Sequence, residues 1–514
     1  MTISTSLLLS YIIFYTTCAI VFLAITIYAY FLWSYRYWSR RNVPQVSPRI
    51  PMGNFGRDPS KPALHAGVRL KDFYDTAKSK GYRHLGIYMF ASPFYMPIDP
   101  EIIKDIIIKD FQYFTDRGLY QNERDEPLSG HLIAMGGNKW RKLRKSLTPT
   151  FTSAKMKMMF ASIVECSRSL VETVSSVSDT SDPLDCKEVL SCFTTDVIGC
   201  CAFGLDCNSF KEPDAAFRRH GRLLFEMTRT RQIKRLFSFA FPDLARFLRM
   251  KIMNPDVTEF FTRTVKETVE YRGVNNVRRN DFMQLLIDLR DEEGRALTVG
   301  QIAAQAFAFF VAGFETSSMT MAFALYELAK NESVQWKARE EIERVLDGKG
   351  LSFEAIQEMV YLDNILEETL RMYPPLPMLN RECIKDYEVK DVGLKLEKGT
   401  RLIIPILALQ NDPDYFSDPE KFNPDRFNEE NRKTIHTCTY LPFGEGPRNC
   451  IGSRFGLLQS KVGLAVLLKE FEFSVNQKTK EPLKMAARGS VLSAEGGIWL
   501  DVTRAKRKVF TKQT

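Results

Sequence analysis

The first 35 residues of the chain carry no charged side chain, and the stretch from residue 7 to residue 33 is apolar apart from a few serines and threonines. As a helix, this stretch would extend about 40 Å, at about 1.5 Å per residue, which exceeds the roughly 30 Å hydrocarbon core of a bilayer. A cleaved signal peptide has a basic start and a shorter apolar stretch of about 7 to 15 residues, and this chain has neither. We therefore predict an uncleaved, single-pass transmembrane anchor over residues 1–35, with a buried core helix as the alternative.

Basic residues follow this segment, and none precedes it: Arg36, Arg40 and Arg41 come directly after the apolar stretch. By the positive-inside rule, the rest of the chain should lie in the cytosol. Three prolines then fall between residues 44 and 51, and each removes a backbone donor and favours an extended predecessor. We predict a basic, proline-rich hinge over residues 36–51 and one continuous domain over residues 52–514, because no internal repeat or second linker follows.

Composition excludes several classes of protein. Hydrophobic residues make up 45% of the chain and charged residues 26%, which is typical of a globular protein rather than a disordered or collagenous one. The net charge of +9 is spread over 514 residues without a dense Lys/Arg block, so we predict no nucleic-acid partner. The ten cysteines include no Cys-x-x-Cys pair, and the five histidines share no close helical spacing, which argues against a zinc or histidine metal site.

Hydrophobic periodicity predicts a mainly α fold with small β-sheets (α+β). The helical patterns cover residues 101–109, 155–177, 299–330, 333–346, 354–372 and 455–471. Two runs of strand-forming residues interrupted by turn signals, over residues 85–98 and 388–405, predict hairpins.

A glycine-rich segment near the C-terminus carries the strongest chemical signal. Residues 443–452 read Phe-Gly-Glu-Gly-Pro-Arg-Asn-Cys-Ile-Gly, and a helical pattern starts near residue 453. A cysteine beside a helix N-terminus meets unpaired N–H groups and the positive end of the helix dipole, which favour a thiolate that binds a soft metal. Gly446 and Gly452 remove side chains where the backbone must come close to the sulfur or to a flat cofactor. Arg448 offers a bidentate fork for a carboxylate.

These ten residues resemble the haem-binding signature of the cytochromes P450, the haem-thiolate monooxygenases, and match every fixed position of it. The resemblance implies a single catalytic domain of the cytochrome P450 fold behind the anchor. It makes Cys450 the axial ligand of the haem iron, and it places Phe443 and Arg448 at the cofactor, with Arg448 on a haem propionate.

A second match lies in the long apolar helix, where residues 312–317 read Ala-Gly-Phe-Glu-Thr-Ser. Gly313 weakens the helix by about 1 kcal/mol relative to alanine, and Thr316 can bond back to a preceding carbonyl, so we expect a local opening here. In the family, the matching acid and alcohol relay protons during dioxygen activation. The resemblance therefore assigns Glu315 and Thr316 catalytic roles; without it, a solvent-facing glutamate beside an unremarkable threonine would be the simpler interpretation.

Two further matches concern the support of the cofactor. Glu368 and Arg371 lie three apart on one helix face, and the family buries this pair against an arginine of a Pro-x-Arg-Phe segment, here Arg426. Trp140 and Arg144 share a face at i, i+4, and in the family that face contacts haem propionates. Arg381 is a further propionate contact by family position, and the basic residues around the Trp140 helix would face an electron donor.

The implied reaction is monooxygenation. The cofactor would be haem b, with O2 as co-substrate, and thiolate ligation favours O–O cleavage. The chain has no Gly-x-Gly-x-x-Gly fingerprint after a strand, so NADPH would act only through a partner, NADPH-dependent cytochrome P450 reductase, with cytochrome b5 as a second donor. The wording of residues 116–118, Asp-Arg-Gly, resembles the insect microsomal branch that acts on plant toxins and insecticides, which implies the endoplasmic reticulum membrane with the catalytic domain on its cytosolic face.

Lipophilic substrates should lie in an apolar space above the iron. By family position it is lined by the loop over residues 117–133, by Phe309, Ala312 and Gly313, and by Met378 and Val491 within residues 377–379 and 491–492. The Phe-rich segment 236–250 is either a membrane-dipping entrance or an ordinary core helix. The alternatives are a biosynthetic monooxygenase of an endogenous hormone or lipid, a haem-thiolate isomerase, and a non-enzymatic haem sensor.

Overall fold

The computed structural model describes residues 2–56, 63–212, 214–226, 228–290 and 294–505, with the main chain alone for residues 2–6. The first nine helices are α1 (Thr2–Ser34), α2 (Ala66–Lys78), α3 (Pro100–Lys104), α4 (Gly137–Leu147), α5 (Ser153–Thr180), α6 (Cys186–Ile198), α7 (Ala216–Phe225), α8 (Arg229–Ala240) and α9 (Pro242–Phe247). They are followed by α10 (Pro255–Val274), α11 (Phe282–Asp288), α12 (Val299–Lys330), α13 (Glu332–Leu346), α14 (Phe353–Glu358), α15 (Val360–Met372), α16 (Ile406–Leu409) and α17 (Ser453–Glu470).

Nine short strands form three small sheets, so the predicted fold class is confirmed. The strands are β1 (His84–Met89), β2 (Ser92–Pro97), β3 (Leu184–Asp185), β4 (Leu379–Glu382), β5 (Tyr387–Val389), β6 (Leu394–Leu396), β7 (Arg401–Ile404), β8 (Phe471–Val475) and β9 (Trp499–Arg504). They pair in the orders β1-β2-β7-β4, β3-β9-β8 and β5-β6, and only the β2–β7 pair is parallel among the described strands. The β1–β2 and β5–β6 pairs are the two hairpins predicted from the sequence.

The core is built around α12, which contacts α6, α10, α15 and α17. A Thr298 and Gln301 capping box starts this helix, each side chain satisfying a main-chain N–H of the other. By length and composition, α1 and α12 could each cross a membrane among the described residues, but α12 is mostly buried inside the protein and α1 is not. The long charge-free helix at the N-terminus is thus consistent with the predicted anchor.

The segment predicted as a hinge is packed against the body. Trp38 is fully buried and Val43 nearly so, and residues 39–41 form a 3-10 turn. The indole N–H of Trp38 donates to the carbonyl of Ile87 at 3.3 Å, and an added Cβ at Gly86 would overlap the Trp38 ring. The chain after α1 therefore packs against the first hairpin and includes a short helical turn.

Two predicted helices are interrupted in the structure. The helix expected over residues 354–372 stops at Met359 and restarts as α15, because the carboxylate of Glu341 accepts the N–H groups of Tyr361 and Leu362 at 2.8 and 3.0 Å. The segment 236–250 forms α8 and α9, divided before Pro242, which occupies the first turn of α9 as proline prefers.

The segment 236–250 is packed at one end and exposed at the other, and whether it enters a membrane stays a prediction. Phe237 and Phe239 face the first hairpin, with ring centroids 6.1 Å from Phe90 and 5.3 Å from Phe94, respectively. Phe247, in contrast, is 83% exposed. The end of α8 is therefore packed against the hairpin, whereas α9 exposes the apolar Phe247 ring together with the charged Asp243 and Arg246.

Candidate active site

The loop that carries Cys450 is closed by its own main chain. The N–H of Cys450 donates to the carbonyl of Phe443 at 2.8 Å, and α17 begins three residues after the cysteine. Gly446 has φ +74°, and an added Cβ would overlap the main-chain oxygen of Ile107. At Gly452 an added Cβ would make only ordinary contact, 3.7 Å from the Phe151 ring. The sequence predicted a close approach of the backbone at both glycines. The structure shows one at Gly446 alone of the two, and the group that approaches is the main chain at Ile107.

The Cys450 side chain has accessible surface, yet protein atoms surround it closely enough to shield the thiol from bulk water. Burial raises the pKa of the Cys450 thiol, against the lowering effects of the Gly452 N–H and of the guanidinium groups of Arg117 and Arg144. The helix start alone thus does not produce the thiolate that the sequence predicted. A metal cation bound to this sulfur would supply the missing positive charge, since a thiol that coordinates a metal ion is deprotonated.

Four arginines from different parts of the chain form one group that reaches this cysteine: Arg117, Arg144, Arg381 and Arg448. Arg117 and Arg144 act on the Cys450 thiol, and Arg381 and Arg448 join the group through Arg117. Burial and then the neighbouring cations lower the pKa of Arg381 to about 9 and that of Arg448 to about 8. Asp116 is the acid that acts on Arg448, and its own Oδ1 already accepts the N–H of Gly137 at 2.7 Å. The group therefore has an excess of buried positive charge.

Three of these four arginines have N–H donors without acceptors. The Nε of Arg117, the Nε and Nη2 of Arg381 and the Nη1 of Arg448 are buried with no hydrogen-bond partner in the described part of the chain. Buried donors of this kind are costly unless paired. Two carboxylates would satisfy both the charge and the donors, so these residues fit the propionates of a haem.

Arg448 and Arg144 have fewer free hydrogen-bond donors than the sequence suggested. Arg448 donates Nε to the carbonyl of Thr115 at 2.8 Å and Nη2 to that of Met135, so it keeps one nitrogen, and not a two-nitrogen fork, for a carboxylate. Arg144 donates to the main-chain and side-chain oxygens of Asn449, both at 2.8 Å. Its observed role is to hold the residue next to the cysteine.

Trp140 lies within this group as predicted. Its side chain is buried, and the Arg448 guanidinium carbon lies 4.4 Å from its ring centroid. Attraction between a cation and an aromatic face is strengthened when both are desolvated. The α4 helix thus supports Arg448 through Trp140 and the cysteine loop through Arg144.

On α12, the side chains of Glu315 and Thr316 each bond to another group of the protein. Glu315 is buried and pairs with Lys187 of α6 at 3.1 Å, and the lysine is 44% exposed. The Thr316 hydroxyl donates to the carbonyl of Ala312, as expected, but α12 runs without interruption through this region. Ala312 is exposed although the helix around it is largely buried, and from this we infer that this face of α12 borders an internal space.

Gly313 has a packing reason that the sequence did not reveal. An added Cβ would overlap the side chain of Ile198 on α6. The Gly313 carbonyl accepts Nε2 of Gln459 at 3.0 Å, and the same nitrogen donates to the Ser317 hydroxyl at 2.6 Å. Gln459, on α17, thus joins the helix that follows Cys450 to the segment that holds Glu315.

The Glu368 group is the most completely satisfied part of the site. Glu368 and Arg371 are fully buried, and their oxygens and nitrogens meet at 2.7 and 2.9 Å. Arg426 donates Nε to Glu368 at 3.2 Å, and Asn423 donates its N–H at 3.0 Å. Arg371 also donates to two main-chain carbonyls. The geometry is that of the scaffold predicted from the sequence.

The predicted pocket residues separate into two sets. The segments of Met378 and Val491 adjoin, because the N–H of Leu492 donates to the carbonyl of Pro375 at 2.9 Å. Phe309 instead packs against the rings of Phe151 and Phe282, both at 5.4 Å, and is not brought to the face of Ala312. A cleft of about 1200 Å³ between α5, α13 and α17 contains none of the candidate residues.

Sequence reasoning missed three residues of the site. Arg117 was expected only in the loop above the iron, whereas its guanidinium belongs to the arginine group and its Nη2 donates to the carbonyl of Arg448 at 3.2 Å. Lys187 and Gln459 lie on helices with no distinguishing pattern. The only available signal for Arg117 was its place in the Asp-Arg-Gly wording.

Comparison with known proteins agrees with this geometry. The family model described as "Cytochrome P450" matches residues 62–500. "Probable cytochrome P450 6a13" of Drosophila melanogaster is 44% identical over 502 residues, covering 96% of this chain and 99% of the relative. "Cytochrome P450 6A1" of Musca domestica is 41% identical over 489 residues, covering 93% and 95%, respectively. The predicted likeness to insect members is thereby confirmed.

A match over most of the chain and relatives above 40% identity decide the classification. The chain belongs to the cytochrome P450 family, whose members are monooxygenases that use haem b and O2 with electrons from NADPH by way of a reductase.

Proposed function

We propose that this chain is a membrane-anchored monooxygenase of the endoplasmic reticulum that oxidises lipophilic foreign compounds, such as plant toxins or insecticides, on the cytosolic face. The observation that carries the haem assignment is the group of buried arginines with unpaired donors close to Cys450. The charge-free α1 and the exposed apolar side chain of Phe247 support the membrane location. The insect relatives support, by likeness alone, the choice of foreign compounds.

In this proposal, the Cys450 sulfur would hold the haem iron, and Arg117, Arg381 and Arg448 would bind the propionates. The bound haem supplies the oxygen-activating chemistry, which thiolate ligation favours. Phe443 fixes the ligand loop through its carbonyl. The scaffold of Glu368 lies on α15 and holds the segment around residues 410–426 in place.

Glu315 and Thr316 would deliver protons in the same proposal. Glu315 is buried but paired with the partly exposed Lys187, so the pair links solvent to the interior of α12. The Thr316 hydroxyl, bonded to the Ala312 carbonyl, stands on the face that borders the internal space. Rotation of the Glu315 side chain from Lys187 toward Thr316 would carry a proton inward.

The electron donor would be NADPH-dependent cytochrome P450 reductase, with cytochrome b5 as a second donor. The exposed side chains of Lys139, Arg141, Lys142 and Lys145 on α4 form a basic surface on the helix that supports the cysteine loop. Complementary charge raises association rates and orients partners. An acidic flavoprotein would therefore meet this surface.

The haem assignment is tested by the absorption spectrum of the reduced, carbon monoxide-treated protein. Wild type should give the strongly red-shifted Soret band of a thiolate-ligated haem, and Cys450→Ser should lose it. Cys438→Ser, which changes a buried cysteine in the same region, is the matched control and should keep the band. Retention of the band in Cys450→Ser would refute the ligand assignment.

The substrate assignment needs a second experiment. Membranes containing the protein and the reductase are supplied with NADPH and a panel of lipophilic toxins, sterols and fatty acids. Oxidation of many unrelated toxins supports the detoxifying role. Turnover of a single endogenous compound at low concentration would overturn it in favour of biosynthesis.

A further inference from the structure

Arg235 is a cation on the inner side of α8. Its Nη1 donates to the Ser490 hydroxyl at 3.0 Å, and its Nη2 approaches the carbonyl of Leu224 at 3.4 Å. Among the described residues, no carboxylate lies within ion-pair distance of it, and Glu126 is the acid that acts on its pKa from further away. Burial lowers the pKa of Arg235, and its side chain remains partly accessible beside the exposed Ser490.

The elements that meet at Arg235 are α7, α8 and the loop at residue 490. Ser490 precedes Val491, which is buried and belongs to the segment joined to Pro375. Leu224 lies in the last turn of α7, where Phe225 packs 5.7 Å from Phe314 of α12. Arg235 therefore lies where α7, α8 and the loop at residue 490 converge above α12.

Glu126, the acid nearest in effect to Arg235, already accepts hydrogen bonds from the main chain. Oε1 of Glu126 accepts the N–H groups of Ile252 and Met253 at 2.6 and 2.7 Å. Lys251 also acts on Glu126 as a neighbouring cation. With Arg235 and Lys251 against one carboxylate, this region keeps a net positive charge.

We infer that Arg235 and Ser490 bind the carboxylate end of long lipophilic substrates. A guanidinium and a hydroxyl together offer several donors to an oxyanion, and charge-assisted hydrogen bonds are roughly twice as strong as those between neutral groups. The apolar residues around Ala312 and Val491 would hold the hydrocarbon part. This inference rests on the proposed function, because it gives the substrate class of the same internal space.

Dodecanoic acid and 1-dodecanol are a matched pair of probes, equal in chain length and different in charge. Each is titrated into the ferric full-length protein in detergent, and the dissociation constant is read from the change in the haem Soret band. Wild type should bind the acid at least about tenfold more tightly than the alcohol. Arg235→Met should remove this preference, and Arg235→Lys should keep part of it.

Arg231→Met is the control variant. Arg231 caps the end of α7 through the carbonyls of Leu223 and Glu226, as Arg235 does at Leu224, but it has no bond to Ser490 in the structure. It should therefore keep the preference for the acid, whereas Ser490→Ala should weaken it.

Three outcomes would overturn the inference. Wild type could bind the two compounds equally, Arg235→Met could keep the preference for the acid, or Arg231→Met could lose it as completely as Arg235→Met. In each case, a normal thiolate band and binding of 1-dodecanol would leave the proposed function intact. Absence of the thiolate band in wild type would refute the proposed function, and this inference with it.

Discussion

Replacing Glu368 by glutamine should destabilise the protein strongly without changing the shape of its side chain. Among the described residues, Glu368 is the single carboxylate that pairs with both Arg371 and Arg426, which are fully buried and largely buried, respectively. The amide removes the charge and turns one acceptor oxygen into a donor that faces other donors. The two guanidinium groups would then remain inside the protein without a counter-charge.

The expected loss follows from this geometry. Removing one partner of a buried, hydrogen-bonded ion pair costs about 3–5 kcal/mol, because the remaining charge is left uncompensated. Glu367, the preceding residue on α15, pairs with Arg432 at 2.8 Å, and that arginine is 58% exposed. A pair of that kind contributes about 0–1 kcal/mol. Glu367→Gln is therefore a control on the same helix with the same chemical change.

The assay is urea unfolding of the wild type and of both variants, followed by far-UV circular dichroism and by the thiolate haem band. At an m-value near 3 kcal/mol per M, the midpoint of Glu368→Gln should fall by roughly 1 M or more, and that of Glu367→Gln should stay within about 0.3 M. Equal midpoint shifts for the two variants would refute the argument that burial of the triad sets the cost.

Three further outcomes are expected. Thr316→Ala should retain haem but divert electrons from product to peroxide, measured as peroxide formed per NADPH consumed, and unchanged coupling would remove Thr316 from the relay. Gly446→Ala should lose haem because its Cβ would overlap the oxygen of Ile107, whereas Gly444→Ala, with its nearest contact at 3.6 Å, should cost only about 1–2 kcal/mol of left-handed strain; equal haem contents would contradict this. Deleting the residues before Ser34 should lower the share of protein that sediments with membranes while preserving the haem spectrum, and unchanged sedimentation would show that α1 is not the main anchor.

Local patterns predicted the parts of the molecule whose chemistry is contained in consecutive residues. The ligand loop and the pairing of Glu368 with Arg371 follow from spacing and from the family resemblance, and both were found. The break at Met359 could not be predicted, because it depends on a carboxylate from another helix, Glu341, that caps α15.

The remaining differences have the same origin. Phe309 was assigned to the pocket by family position, but its direction is decided by Phe151 and Phe282, which come from distant segments. Arg117 joins the other arginines only because the loop after residue 114 folds back onto the cysteine segment. Tertiary contacts of this kind leave no periodic signal in one sequence.

The burial of Trp38 limits how the body can move relative to α1. Only three residues separate the end of α1 from this fully buried indole, and the Ser34 hydroxyl bonds to the carbonyl of Ala91 in the turn of the first hairpin. A membrane-spanning α1 would thus be connected rigidly to the body and not through a flexible linker. The body could not swivel at the bilayer surface, so any partner confined to the same bilayer would meet it in a narrow range of orientations.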